Sequence, residues 1–233
     1  MGLFNLFKKN EKISGPKKPQ PAHAGELGYY REVLSTMVTR ALTGSGGKIR
    51  QEDAITLMAV IAAERCFDVA EDIPLRTHKL PPGSRISSEK INSLLFGGPA
   101  GPWENIPPSS PLGFFRDALL TEGFQRSDFP DLSEVISRFN DQAKKGQEGL
   151  LLTVPKNHLP RLIPLQIGFE TRKSVDKLLK HTKRLEARMM AAVWALAERV
   201  ALARESMPSP VAARLAVEVF YGTTQTAPIT QRP

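Results

Sequence analysis

The sequence predicts a mainly α protein: an irregular helical bundle with one long C-terminal helix and at most a small β-hairpin. Three observations carry this. Apolar residues recur at three- and four-residue spacing in one segment after another. Residues 170–206 hold that spacing throughout, with no proline or glycine to interrupt it. The only β-like stretch, residues 149–169, contains Pro155, Pro160 and Pro164, and proline cannot donate to a sheet ladder.

Taken in order, residues 1–9 form a short apolar cap, and residues 10–25 hold Gly, Pro, Lys and Gln with almost nothing apolar, as a linker does. The folded part begins near Glu26. Tyr30, Val33, Leu34, Met37, Val38 and Ala41 line one helix, which ends at Gly44-Ser45-Gly46-Gly47. A second helix spans 51–70. It is apolar over so much of its circumference, through Ile55, Leu57, Met58, Ala59, Val60, Ile61, Ala62 and Cys66, that it must be central in the core.

Residues 71–86, with Pro74, Pro81 and Pro82, read as a connector. A short helix follows over 88–96, with Ser87 the candidate N-cap and Gly97-Gly98 the stop. The loop 97–111 is rich in proline and glycine around Trp103, and its anchor is expected to be that ring packed on the core. Helices over 111–121 and 132–144 come next, the latter with Asp131 as N-cap. Within 149–169, Leu150, Leu151, Leu152 and Val154 form one run and Leu162, Ile163, Leu165 and Ile167 another, an edge pair or an extended packing segment in place of a central sheet. A final helix over 210–221 is expected to stop at Gly222. The implied organisation is a disordered N-terminal segment (1–25), one helical domain (26–222) and a disordered tail (223–233).

The 170–206 stretch changes character along its length. Val175, Leu178, Leu179, Thr182, Leu185 and Met189 share one face, while Lys173, Lys177, Lys180, Arg184 and Arg188 form a basic stripe opposite. Beyond Met189 the helix is apolar nearly all round. A continuous helix of this length would reach about 55 Å, longer than a compact domain of this size, so part of it would protrude. Val175, Leu178, Thr182, Leu185, Met189, Ala192 and Leu196 also fit a coiled-coil repeat, which adds homo-oligomerisation through this helix as an expectation.

The charge is uneven. Of a net +8, residues 1–20 carry five lysines against one acid, and residues 156–188 carry nine Lys/Arg against three acids. A local excess of one sign attracts acidic partners. The strongest expectation is a non-enzymatic adaptor or assembly component that meets an acidic protein surface through Lys173, Lys177, Lys180, Arg184 and Arg188. The alternatives are nucleic acid on the same stripe, although no aromatics are interleaved with it, and an anionic membrane. The membrane reading rests on Leu3, Phe4, Leu6 and Phe7 beside Lys8 and Lys9, an apolar and basic cap on a tether. Gly2 does not extend it to myristoylation, since Leu6 stands where that signal has Ser or Thr.

Signals for other chemistry fail on their spacing. Gly44-Ser45-Gly46-Gly47-Lys48 lacks the first glycine of a phosphate loop (Leu42) and its closing hydroxyl (Ile49), and it follows a helix. Gly97-Gly98-Pro99-Ala100-Gly101-Pro102 offers too few backbone donors for an anion cradle. His23, His78, His158 and His181 show no metal spacing, so no metal or cofactor is expected. Cys66, the single cysteine, sits in an apolar helical pattern as a buried thiol would. No apolar run approaches the roughly 20 residues of a membrane span. The apolar residues of the N-terminus precede its lysines, the reverse of a secretory signal. Together these features predict a cytoplasmic protein, with a peripheral membrane location as the alternative.

Overall fold

The fold is organised around one apolar helix that the rest of the chain covers. A computed structural model of the protein describes residues 23–43, 49–144, 150–182 and 184–230. Among them are eight α-helices: α1 (His23–Thr43), α2 (Gln51–Ala70), α3 (Glu89–Phe96), α4 (Pro111–Thr121), α5 (Leu132–Lys144), α6 (Pro164–Leu179), α7 (Leu185–Ala203) and α8 (Ser209–Thr224). The architecture is mainly α, as the periodicity predicts.

Residues 53–67 of α2 are all buried. Its apolar circumference is covered by α7 and α8 most extensively and by α6 on another side, while α1 and α4 close over α7. Helix α8 is as deeply set as α7, with residues 215–224 all buried, so α2, α7 and α8 together form the core and the more amphipathic helices lie around them. Side chains of Leu34, Ile55, Leu57, Leu95, Phe115, Val135, Phe139, Leu196 and Val219 meet in one continuous cluster.

Local chemistry fixes the shell helices. Ser88, not Ser87, caps α3, its hydroxyl accepting from the Ile91 N–H at 3.1 Å. Gly97 ends α3 at φ 68°, and a Cβ there would lie 2.4 Å from Pro107 Cγ, so both the turn and the crowding require glycine. Ser110 caps α4 by accepting from Gly113 N–H at 3.2 Å, ahead of Pro111 at the first helical position. Asp131 Oδ1 accepts from Ser133 N–H at 2.8 Å at the start of α5. The Trp103 indole N–H donates to Pro130 O at 2.8 Å, and its ring meets Phe129 at 5.2 Å, anchoring the proline-rich loop as expected.

Two expectations are corrected. The long helix over 170–206 is two helices, α6 and α7, separated by residues 180–184. Both pack on α2, which at 20 residues is about 30 Å long. A straight helix running through both segments would carry half of its apolar surface past the end of α2, so the chain folds back. The turn is stabilised where Thr182 N–H donates to Leu179 O at 3.0 Å and the Arg188 Nε–H donates to Thr182 O at 2.8 Å. The coiled-coil seam is thereby broken. Val175, Thr182, Met189, Ala192 and Leu196 are buried in the chain's own core, while Leu178 and Leu185 are half-buried.

The segment 149–169, where the sequence allows at most a small hairpin, forms none among its described residues. Residues 150–155 form no regular element and bend at Val154, Lys156–His158 make a single 3₁₀ turn, and Pro164 opens α6. The backbone polar groups find side-chain partners in place of a second strand: Thr153 N–H donates to Glu218 Oε2 at 2.7 Å, and Arg161 and Leu162 N–H donate to Asp53 Oδ1 at 2.7 and 3.3 Å.

The last correction concerns the C-terminus. Gly222 does not end α8; it lies inside the helix, where a Cβ would come within 2.5 Å of the Phe139 ring and 2.7 Å of Leu150. It is a close-packing position. Residues 223–228 are buried, and Arg85 and Thr226 form an antiparallel bridge. Ala227 N–H donates to Ser84 O at 2.7 Å, Gly83 N–H to Ala227 O at 2.9 Å and Ile86 N–H to Gln225 O at 2.9 Å. Residues 223–230 thus belong to the domain. Residues 1–22, with the apolar cap Leu3, Phe4, Leu6, Phe7, Lys8 and Lys9, and residues 231–233 lie outside the described residues.

Candidate partner-binding face

Helix α6 presents two chemically opposed faces because its polar and apolar residues alternate at the helical period. Ile167, Gly168, Thr171, Arg172, Val175 and Leu179 are buried. Lys173, Lys177 and Lys180, at i, i+4 and i+7, are exposed together on the outer side. At 1.5 Å per residue they span about 10 Å of helix. Arg184 is also exposed, at the start of α7, across the turn. Arg188 is drawn away from this group: it is half-buried and donates to the Thr182 carbonyl. Of the five residues of the predicted stripe, three share one helix face, one is exposed at the start of the next helix, and one serves the turn itself.

The acids that could neutralise the lysines are engaged elsewhere. Asp176 turns toward Arg65, whose Nη1 lies 2.7 Å from Asp176 Oδ1, and toward Arg76 on its other oxygen. Burial alone would raise the Asp176 carboxyl, but the Arg65 and Arg76 guanidiniums outweigh it and hold the group below its ordinary range. Glu170 accepts from the Gln166 amide at 2.9 Å. Neither Asp176 nor Glu170 forms an ion pair with these lysines among the described residues. The connector before α6 adds exposed Lys156 and Arg161, interspersed with the exposed apolar side chains of Leu159 and Ile163.

Beneath this face lies a buried ionic cluster. Arg172 donates to Glu64 Oε1 through Nη2 at 2.6 Å and Nε at 3.1 Å, and through Nη1 to Leu75 O and Ile229 O at 3.0 and 2.9 Å. Burial raises the Glu64 carboxyl against the pull of Arg172. Arg65, 1 % exposed, also meets Asp68 at 3.0 Å. Every charge here has an opposite neighbour, so the cluster ties α2, α6 and the C-terminal segment together and offers nothing outward. Cys66, next to it, is buried, and desolvation pushes its thiol up, away from the reactive thiolate.

A feature that sequence reasoning missed is a partly open cavity of about 280 Å³ between α3, α5 and the end of α8, lined by Arg85, Asn92, Phe96, Ile136, Tyr221 and Gln225 among others. Arg85 lies in a segment that reads as a proline-rich connector, and the cavity walls it joins come from elements as distant as Ile136, Tyr221 and Gln225. Only the α8 helical pattern through Tyr221 signals that anything packs there. Among the described residues no His, Cys, Asp or Glu group has the arrangement of a metal site, and no helix is long and apolar enough to cross a membrane. Comparisons with protein families, with curated proteins and with solved structures find no match to this chain.

Proposed function

We propose that this protein is a non-enzymatic adaptor or assembly component that docks an acidic protein surface on the outer face of α6. The observation that supports this reading is the pairing of two facts about one helix. Lys173, Lys177 and Lys180 stand in register on the solvent side, while Asp176, the acid set among them in sequence, is held inward by Arg65. Lysines at the C-terminal end of a helix also complement its dipole. That accounts for Lys177 and Lys180 in the last turn; Lys173, earlier in the helix, needs another reason. Positive charge on a rigid face raises encounter rates with an acidic partner and fixes its orientation.

The test is the triple variant Lys173→Glu, Lys177→Glu, Lys180→Glu, all at exposed positions. Wild type captured from native lysate should bring down an acidic protein that the variant, folded by circular dichroism, does not retain. Binding to generic DNA or RNA that falls steeply with salt and disappears in the variant would assign the face to phosphates instead. Sedimentation with anionic vesicles that requires residues 1–22 would move the docking function to the N-terminal cap. A folded variant that keeps every wild-type partner would end the proposal.

A further inference from the structure

Arginine gives up its hydration at a cost, and a buried guanidinium in a stable fold is met by oxygen acceptors. Arg65, Arg116, Arg138, Arg172 and Arg199 each donate at least one N–H to a carboxylate or carbonyl oxygen, even where single nitrogens of Arg65, Arg138 and Arg199 are withdrawn from solvent without a partner. Arg85 does not. Its Nη1 is withdrawn from solvent without a partner, and among the described residues it has no ion pair and no side-chain hydrogen bond. Its guanidinium lies over the Phe139 ring, Cζ 5.2 Å from the centroid. The side chain as a whole is half-buried, and the ring face attracts the cation but gives Nη1 no acceptor.

The position of Arg85 is set from both sides by backbone. The bridge to Thr226 and the Ile86 N–H to Gln225 O bond pin its strand to the segment after α8. It is thus built into the wall of the 280 Å³ cavity. No Asp or Glu lines that cavity. Gln225 Nε2 donates to Asn92 Oδ1 at 2.9 Å, leaving the Asn92 Nδ2 donors uncommitted. Burial raises the Tyr221 hydroxyl, so it remains a neutral phenol and cannot neutralise Arg85. Ile86, Phe96 and Ile136 supply the apolar part of the wall.

We propose that this cavity binds a small organic monocarboxylate. Its carboxylate meets Arg85, with Asn92 and Tyr221 as neighbouring donors, and its apolar body rests against Ile86, Phe96 and Ile136. A planar guanidinium fork matches a carboxylate in geometry. The single cation is balanced by one negative charge, whereas a phosphate dianion would leave surplus charge out of water. The volume falls just below the roughly 300 Å³ at which pockets for larger ligands begin, which suits an acid with one ring or a short branched chain.

The experiment titrates the full chain with benzoate, cyclohexanecarboxylate and pentanoate by calorimetry at low salt, with benzamide as the neutral match for benzoate and phenyl phosphate as the dianion. At least one carboxylate should bind at millimolar concentration or below, benzoate about tenfold or more tightly than benzamide, as a charged hydrogen-bonded pair implies. Arg85→Gln should remove that preference. Because Arg85 also packs on Phe139, a second variant avoids its loss: Asn92→Asp keeps an acceptor for Gln225 and places a carboxylate in the cavity. It should abolish carboxylate binding without lowering stability. Absence of binding by all three acids, equal binding of benzoate and benzamide, tighter binding of phenyl phosphate, or undiminished benzoate binding by folded Asn92→Asp would each overturn the proposal.

Discussion

Arg172 and Glu64, separated by 108 positions in sequence, meet through two N–H donors on a single carboxylate oxygen, and neither side chain is more than 6 % exposed. The same guanidinium holds the Leu75 and Ile229 carbonyls, so one side chain joins α2, α6, the connector after α2 and the C-terminal segment. Arg172→Ala should cost about 3–5 kcal/mol, because it strands a buried carboxylate as well as two carbonyls. Combining it with Glu64→Leu should recover part of that loss. Urea unfolding of the two single variants and the double variant measures both; strictly additive losses would mean that the pair is not coupled.

Acid should weaken the outer part of the same cluster. Asp176 titrates below its ordinary 3.8 in the folded protein because Arg65 and Arg76 favour its charge. The stability it contributes is fully present above that ordinary value and is lost as pH falls through the lower folded value. Asp68, beside Arg65, is shifted the other way by burial, and with raised Glu64 it opposes this trend over the range above 3.8. The stability gap between wild type and Asp176→Asn should therefore be wide near neutrality and close below about pH 4. A gap independent of pH down to acid unfolding would show that the charge of Asp176 is not what stabilises the fold.

Removing residues 225–233 should be far more damaging than a tail deletion. It takes away the backbone bonds at Gly83, Ile86 and Ala227, the Ile229 acceptor for Arg172, and the buried side chains of Thr226 and Ala227. At about 1 kcal/mol for each backbone bond, the loss is at least about 3 kcal/mol, or roughly 6–12 °C in Tm for a chain this long. Deleting only 231–233 should leave Tm near that of wild type. Scanning calorimetry distinguishes the outcomes, and equal melting of the two truncations would show that the bridge contributes little.

Helix positions were legible because their signals are local. The bounds of α2, α4 and α5 follow from apolar period, proline at a helix start and a capping Asp or Ser. What the sequence hid was decided by partners distant in the chain. Nothing between Lys180 and Arg184 is a helix breaker, and the turn there exists because α6 and α7 share α2 as a platform. Gly222 has the form of a helix stop, yet Phe139 and Leu150 approach so closely that glycine is needed within the helix. The apparent strand over 150–155 has its backbone donor at Thr153 met by the Glu218 side chain. Of the candidate site, the lysines of α6 were readable from their spacing. The inward turn of Arg188 was not, and neither was the convergence of Arg85, Asn92 and Tyr221, since no local pattern encodes a cavity.

The burial of α2 has a consequence for how the protein comes into being. Its fifteen-residue buried stretch is covered chiefly by α7 and α8, and α7 begins only at Leu185, long after α2 ends at Ala70. During synthesis the future centre of the molecule leaves the ribosome well before its covering exists. Until then α2 can only be held by a chaperone, cling to α1 and α3, or stick to another nascent chain. An incomplete chain ending before Leu185 is accordingly an aggregation hazard and not a smaller domain. The last forty-odd residues act as the closing step of folding, and a lesion in them should act on the yield of protein before it acts on any partner.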